Sequence, residues 1–173
     1  MLVVAAAAAW GWYHFKPSAG HGLTFGLIDD LGKAKEMFSH VGCAPATGLD
    51  QPADGRCNTD AGDTSCRAER PLLCTLPATS ASPVIESGPF KGWAKTELGA
   101  TRPVTGAELV SAQAASERCE AELGKGWQAK QYLAGERKDF RGVRHASLDG
   151  ASADSRYWVV AANSPANCWD SAR

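Results

Sequence analysis

Two stretches decide the fold: TGAELVSAQAASERCEAELGKGWQAKQYL at residues 105–133 and RYWVVAANSPANCW at residues 156–169. In the first, Thr105 and Glu108 have the T-x-x-E spacing of a capping box. Leu109, Ala112, Ser116, Cys119 and Leu123 then fall on one helical face, and Gly124 supplies a stop. Residues 127–133 alternate and predict a strand. Residues 156–162 are the best strand in the chain. Neighbouring strand residues point to opposite faces, so a one-sided sheet would leave Tyr157 or Trp158 exposed. A helix carrying Cys119, strands after it and a last strand beside Cys168 predict an α+β fold. The expected domain is small and disulfide-stabilised, with a short mixed or antiparallel sheet and two helices, plus an N-terminal membrane helix.

Upstream, residues 27–41 (LIDDLGKAKEMFSHV) place Leu27, Leu31, Ala34, Phe38 and Val41 on one stripe at helical spacing. Asp29 and Asp30 suit its first turn and Gly42 its end. Residues 42–70 read as a long loop, 71–76 as a strand, 77–89 as a surface loop, 90–98 as holding another strand, and 135–155 as a loop. The expected organisation is a membrane anchor helix over 1–16, a Gly-rich linker over 17–26 and an extracytoplasmic disulfide-rich domain over 27–173.

The anchor rests on MLVVAAAAAWGWYHF at 1–15, which holds no charge. As a helix it reaches roughly 22 Å, short of the ~30 Å hydrocarbon layer. Trp10, Trp12, Tyr13 and Phe15, followed by Lys16, resemble an interfacial aromatic belt. The small residues at 5–9 suit close packing against other membrane helices. A truncated signal peptide is the alternative.

Leu, Ile, Val and Phe number 29 of 173 residues, so the core must draw on Ala, Gly and Trp. Net charge is -1, which removes the electrostatic basis for nucleic-acid binding. The six cysteines, Cys43, Cys57, Cys66, Cys74, Cys119 and Cys168, contain no C-x-x-C pair. Their even number predicts three disulfides in an oxidising compartment, with fifteen connectivities open. The favoured pairing joins Cys119 to Cys168 and uses the other four to staple 43–74. The globular part is then periplasmic or outside the cell.

The order of A-x-x-x-C on a helix, a G-x-G-W strand, a W-V strand and a terminal N-C-W resembles a C-type-lectin-like or endostatin-like module over residues 90–173. The matching residues are Ala115, Cys119, Gly124, Gly126, Trp127, Trp158, Val159, Asn167, Cys168 and Trp169. The resemblance implies an extracellular binding fold. No E-P-N or Q-P-D tripeptide occurs, so the lectin family's calcium-and-sugar residues are not carried over.

Two clusters could carry recognition. Asp54, Asn58, Asp60 and Asp63 crowd around two glycines, and oxygen ligands with glycine turns suit calcium. Otherwise no cofactor is expected. Arg137, Lys138, Arg141 and Arg144 form a basic stretch that, with an exposed Trp158, could meet an acidic partner or lipid headgroups. No G-x-S-x-G, H-E-x-x-H or Gly-rich phosphate loop occurs, and oxidised cysteines leave no thiolate, so catalysis is not expected. The first expectation is a membrane-anchored accessory subunit docked on an integral membrane protein complex at the lipid bilayer, respiratory or photosynthetic for example. The alternative is a lectin-like module for a glycan or another ligand, with calcium as its ion.

Overall fold

The computed structural model describes residues 20–28, 31–43, 57–77, 95–151 and 155–170. Along the chain run β1 (His21–Gly22), β2 (Thr24–Leu27), a 3₁₀ turn at Gly32–Glu36, β3 (Phe38–Gly42), β4 (Thr64–Ser65), β5 (Glu69–Arg70) and β6 (Leu73–Pro77). Then come β7 (Thr96–Ala100), β8 (Val104–Thr105), the helix α1 (Ala112–Leu123), β9 (Gln128–Ala129), β10 (Gln131–Tyr132), β11 (Asp139–Arg144), β12 (Arg156–Trp158) and β13 (Val160–Ala161).

Seven strands form one mixed sheet in the order β12-β2-β3-β11-β7-β6-β9. Neighbours are antiparallel except β11 and β7, which are parallel. The ladder does not stop at β9. One residue later β10 pairs in parallel with β13, the continuation of β12. Val160 N–H donates to Lys130 O at 3.1 Å, and Ala162 N–H to Tyr132 O at 2.9 Å. The pairing circuit therefore closes on itself as a small barrel, with the two-stranded pairs β1-β4 and β5-β8 outside it.

Residue parity then sorts the core into two. Phe25, Val41, Leu73, Leu98, Tyr132, Phe140 and Tyr157 face inward and are buried together. Phe25 stacks on Phe140 with centroids 5.2 Å apart and meets Tyr132 edge-on at 5.5 Å. Residues of the opposite parity, Cys74, Ala129, Trp158 and Val160, pack outside the barrel under α1 with Ala115, Cys119 and Trp127. Both strand faces are thus covered, and Tyr157 and Trp158 are each 2% exposed. The one-sided sheet with an exposed aromatic is corrected by this second layer.

The expected α+β class with two helices is also corrected: the fold is mostly β, with α1 the one α-helix among the described residues. Residues 27–41 are not helical as a unit. Their apolar stripe is shared among β2, the 3₁₀ turn and β3, and Gly32 at φ +52 breaks the helical path. The expected linker is corrected where it is described, since residues 20–26 hold β1 and most of β2, with Leu23 and Phe25 fully buried. The expected loop 135–155 contains β11, a central strand, and Gly142 lets β7 approach because a Cβ there would press on the Thr96 carbonyl. The Thr105–Glu108 capping box exists but starts a 3₁₀ turn at Gly106–Glu108. α1 begins later, where Ser111 Oγ accepts from Ala114 N–H at 3.0 Å. Among the described residues no helix is long and apolar enough to cross a membrane. The membrane helix expected over 1–16 lies outside the described residues.

All six cysteines are oxidised, as Cys43–Cys57, Cys66–Cys168 and Cys74–Cys119. The Cys119–Cys168 pairing is corrected. Cys119 faces the sheet from α1 and reaches Cys74 on β6, so this bridge ties the helix to the barrel. Cys168 instead secures the C-terminal segment to the residues after β4.

Candidate functional site

After β13 the chain turns back on itself, and three restraints hold it there. The Asn167 side chain imitates a strand partner: Oδ1 accepts from Ala161 N–H and Nδ2 donates to Ala161 O, both at 2.8 Å. Leu23 N–H donates to Ala166 O at 2.7 Å. The Cys66–Cys168 bridge is the third. Gly22 and Gly106 make room for that bridge. A Cβ at Gly22 would sit 2.7 Å from Cys168 Sγ and 2.9 Å from the Trp158 ring, and one at Gly106 would collide with the same two groups. Trp158 is fixed in turn by its indole N–H, which donates to Val104 O at 2.9 Å.

The consequence is a shallow cleft of about 540 Å³ between β10, β13 and the C-terminal turn. Its wall includes Trp169, half-buried against the helix-covered core, with Gln131, Asn163, Ser164 and Asp170. Asn163 Oδ1 accepts from Ala134 N–H at 2.6 Å, and Ser164 Oγ donates to Thr59 O at 2.7 Å. One Asp170 oxygen accepts from Asn167 Nδ2 at 2.9 Å. These bonds orient the side chains yet leave the Asn163 amide donors, a lone pair on Ser164 and the second Asp170 oxygen uncommitted among the described residues. An aromatic wall beside mixed donors and acceptors can hold a polyhydroxylated ring, whose C–H face covers the indole while its hydroxyls both give and take hydrogen bonds.

The residues singled out in the sequence lie mostly elsewhere. Of the calcium candidates, Asp54 is outside the described residues. Asn58 Oδ1 accepts from the N–H groups of Asp60 at 3.1 Å and Ala61 at 3.0 Å, which makes a turn. Asp63 points inward. Its carboxylate takes hydrogen bonds from Thr24 Oγ1 at 2.6 Å and Thr64 Oγ1 at 2.8 Å, and pairs with Arg156 at 3.2 Å. Among the described residues no group of three His, Cys, Asp or Glu is placed to hold a metal ion.

The basic stretch is largely neutralised within the chain. Arg137 and Arg141 both pair with Asp139, at 3.1 and 2.8 Å, and Asp139 also meets His40 Nε2 at 3.0 Å. Burial pushes the Asp139 carboxyl up. The hydrogen bonds of Arg137 and His40 and the charges of Arg141 and Arg137 outweigh it and hold the group below its ordinary range. Lys138 gives its backbone carbonyl to Cys43 N–H. Arg144 bonds Asp149, Ser39 and the Leu148 carbonyl. Trp158 is buried and is not a surface anchor. The membrane-interface residues Trp10, Trp12, Tyr13, Phe15 and Lys16 lie outside the described residues.

Sequence reasoning passed over Asn163, Asp170 and Gln131, although the N-C-W ending was noticed. Polar residues around a Pro read as an ordinary loop until the fold brings β10 beside them. It also passed over Lys130, whose Nζ lies 4.5 Å from the Phe140 ring centre and whose pKa is lowered by burial. Comparison of the chain with protein-family models, with curated proteins and with solved structures found no match.

Proposed function

We propose that this chain is a non-catalytic, extracytoplasmic binding module that takes a glycan in the cleft beside Trp169. The observation that carries this reading is the juxtaposition of Trp169 with the uncommitted polar groups of Asn163, Ser164 and Asp170 in a cleft of about 540 Å³. That volume lies within the few-hundred to ~1,000 Å³ range of small-ligand sites. The restraints around Asn167 and Cys168 support it further. A site locked before the ligand arrives loses little ordering entropy on binding. Three disulfides favour an oxidising compartment, where extracellular glycans are met.

The docking reading draws less support. Of its cationic residues, Arg137 and Arg141 pair with Asp139 and Arg144 with Asp149, and its aromatic anchor Trp158 is in the core. A glycan array probed with the oxidised chain, with and without chelator, tests the proposal. Binding should appear on a subset of glycans and fall at least tenfold in Asn163→Ala and Trp169→Ala. Absence of binding in both conditions would retire it.

A further inference from the structure

The barrel has a second feature, at the end where β2, β3 and β11 leave the core. Leu27, Ser39 and Arg144 continue the inward-facing series of Phe25, Val41 and Phe140, as the pairings Leu27 with Val41 and Gly142 with Ser39 require. The barrel interior is filled by side chains, so these three line its mouth rather than a lumen. Together with Ile28, Leu31 and Phe38, and with Lys35, Glu36 and His40 as polar neighbours, they border a groove of about 450 Å³ that shares no residue with the Trp169 cleft.

Arg144 is the buried charge of this wall. Its side chain is only 12% exposed, so the guanidinium is held largely out of water, in a wall it shares with Leu27, Ile28 and Leu31. Among the described residues its ion pair is with Asp149, at 3.3 Å, and the Asp149 side chain is 72% exposed. The bond to Ser39 Oγ is long, at 3.4 Å, and the third goes to the Leu148 carbonyl. A guanidinium has five N–H donors in a planar fork that fits a carboxylate bidentately. Three are assigned here, and Asp149 takes only the Nε–H, through one oxygen at 3.3 Å. A buried cation with an exchangeable counter-ion, flanked by the half-buried Leu27, Ile28 and Leu31, fits a carboxylate on an apolar tail.

We infer that the barrel mouth binds an amphipathic monocarboxylate, with the carboxylate on Arg144 in place of Asp149 and the tail along Leu27, Ile28 and Leu31. Asp149 then competes with the ligand for the same donors. Removing it should strengthen binding, an effect that nonspecific apolar adsorption would not show.

The test is calorimetric titration of the oxidised chain with decanoate, and with decanol as the uncharged control. Decanoate should bind saturably at one site and at least tenfold more tightly than decanol. Asp149→Asn should tighten decanoate binding several-fold, and Arg144→Gln should weaken it tenfold or more with the far-ultraviolet dichroism unchanged. Should Arg144→Gln fail to fold, the Asp149→Asn variant decides. Equal binding of decanoate and decanol, no saturable binding, or unaltered affinity in Asp149→Asn would each overturn the inference.

Discussion

Replacing Cys66 and Cys168 by alanine removes the bridge that closes the C-terminal cleft, and its cost follows from the topology of the bonds. The two residues are 102 apart in sequence. The Cys74–Cys119 bridge, spanning 45, lies inside that loop and short-circuits it even in the unfolded chain. The effective loop is therefore roughly 60 residues, for which the chain-entropy relation gives about 4 kcal/mol. The Cys43–Cys57 bridge spans only 14 residues, and its loop is worth about 3 kcal/mol on the same relation. Small domains are stable by roughly 5–15 kcal/mol, so loss of Cys66–Cys168 should bring this one close to its limit. Urea unfolding followed by circular dichroism measures it directly. The double variant should lose about 4 kcal/mol, and its m-value should rise because the released chain expands further. A loss below ~1 kcal/mol at unchanged m-value would refute the view that covalent closure, rather than apolar mass, holds this fold.

Further expectations concern the charged groups. Asp63→Ala leaves Arg156, with 6% of its side chain exposed, as an uncompensated buried cation and should cost 3–5 kcal/mol, roughly. Asp63→Leu combined with Arg156→Met should recover most of that; a single variant within 1 kcal/mol of the parent in urea would contradict the pair's role. The Asp139 carboxyl has a lower pKa folded than unfolded, so unfolding in acid takes up a proton. Its contribution is complete above about pH 4 and is lost as pH falls through the folded value. Asp139→Asn should flatten that acid limb of the stability curve, and superimposable limbs would count against the assignment.

The strands that alternate or carry bulky residues were legible in the sequence. Residues 73–77, 156–158 and 160–161 pair much as their composition implies. Ala115 and Cys119 were correctly placed on a helix, and the oxidised state of the cysteines followed from their number. Three features were hidden. β11 reads DFRGVR, a polar run, because its outward side chains pair with one another and Gly142 is required by β7. The stripe over 27–41 satisfies helical spacing by coincidence, since the partners that make Phe38 and Val41 strand residues lie about a hundred positions away on β11. The disulfide pairing depends on which strand α1 crosses, and local spacing carries no information about that. The cleft was partly legible: Asn167, Cys168 and Trp169 stood out as a group, but their neighbours Gln131 and Asn163 are joined to them by the parallel pairing of β10 and β13.

The proposed glycan site is tested most directly by nuclear magnetic resonance titration with the glycan that binds the array most tightly, observing indole N–H and side-chain amide resonances. The Trp169 indole and Asn163 amide signals should shift together and saturate, while the buried Trp158 indole, bonded to Val104, stays in place. Saturable binding that leaves the Trp169 and Asn163 signals unmoved would contradict the assignment of the site.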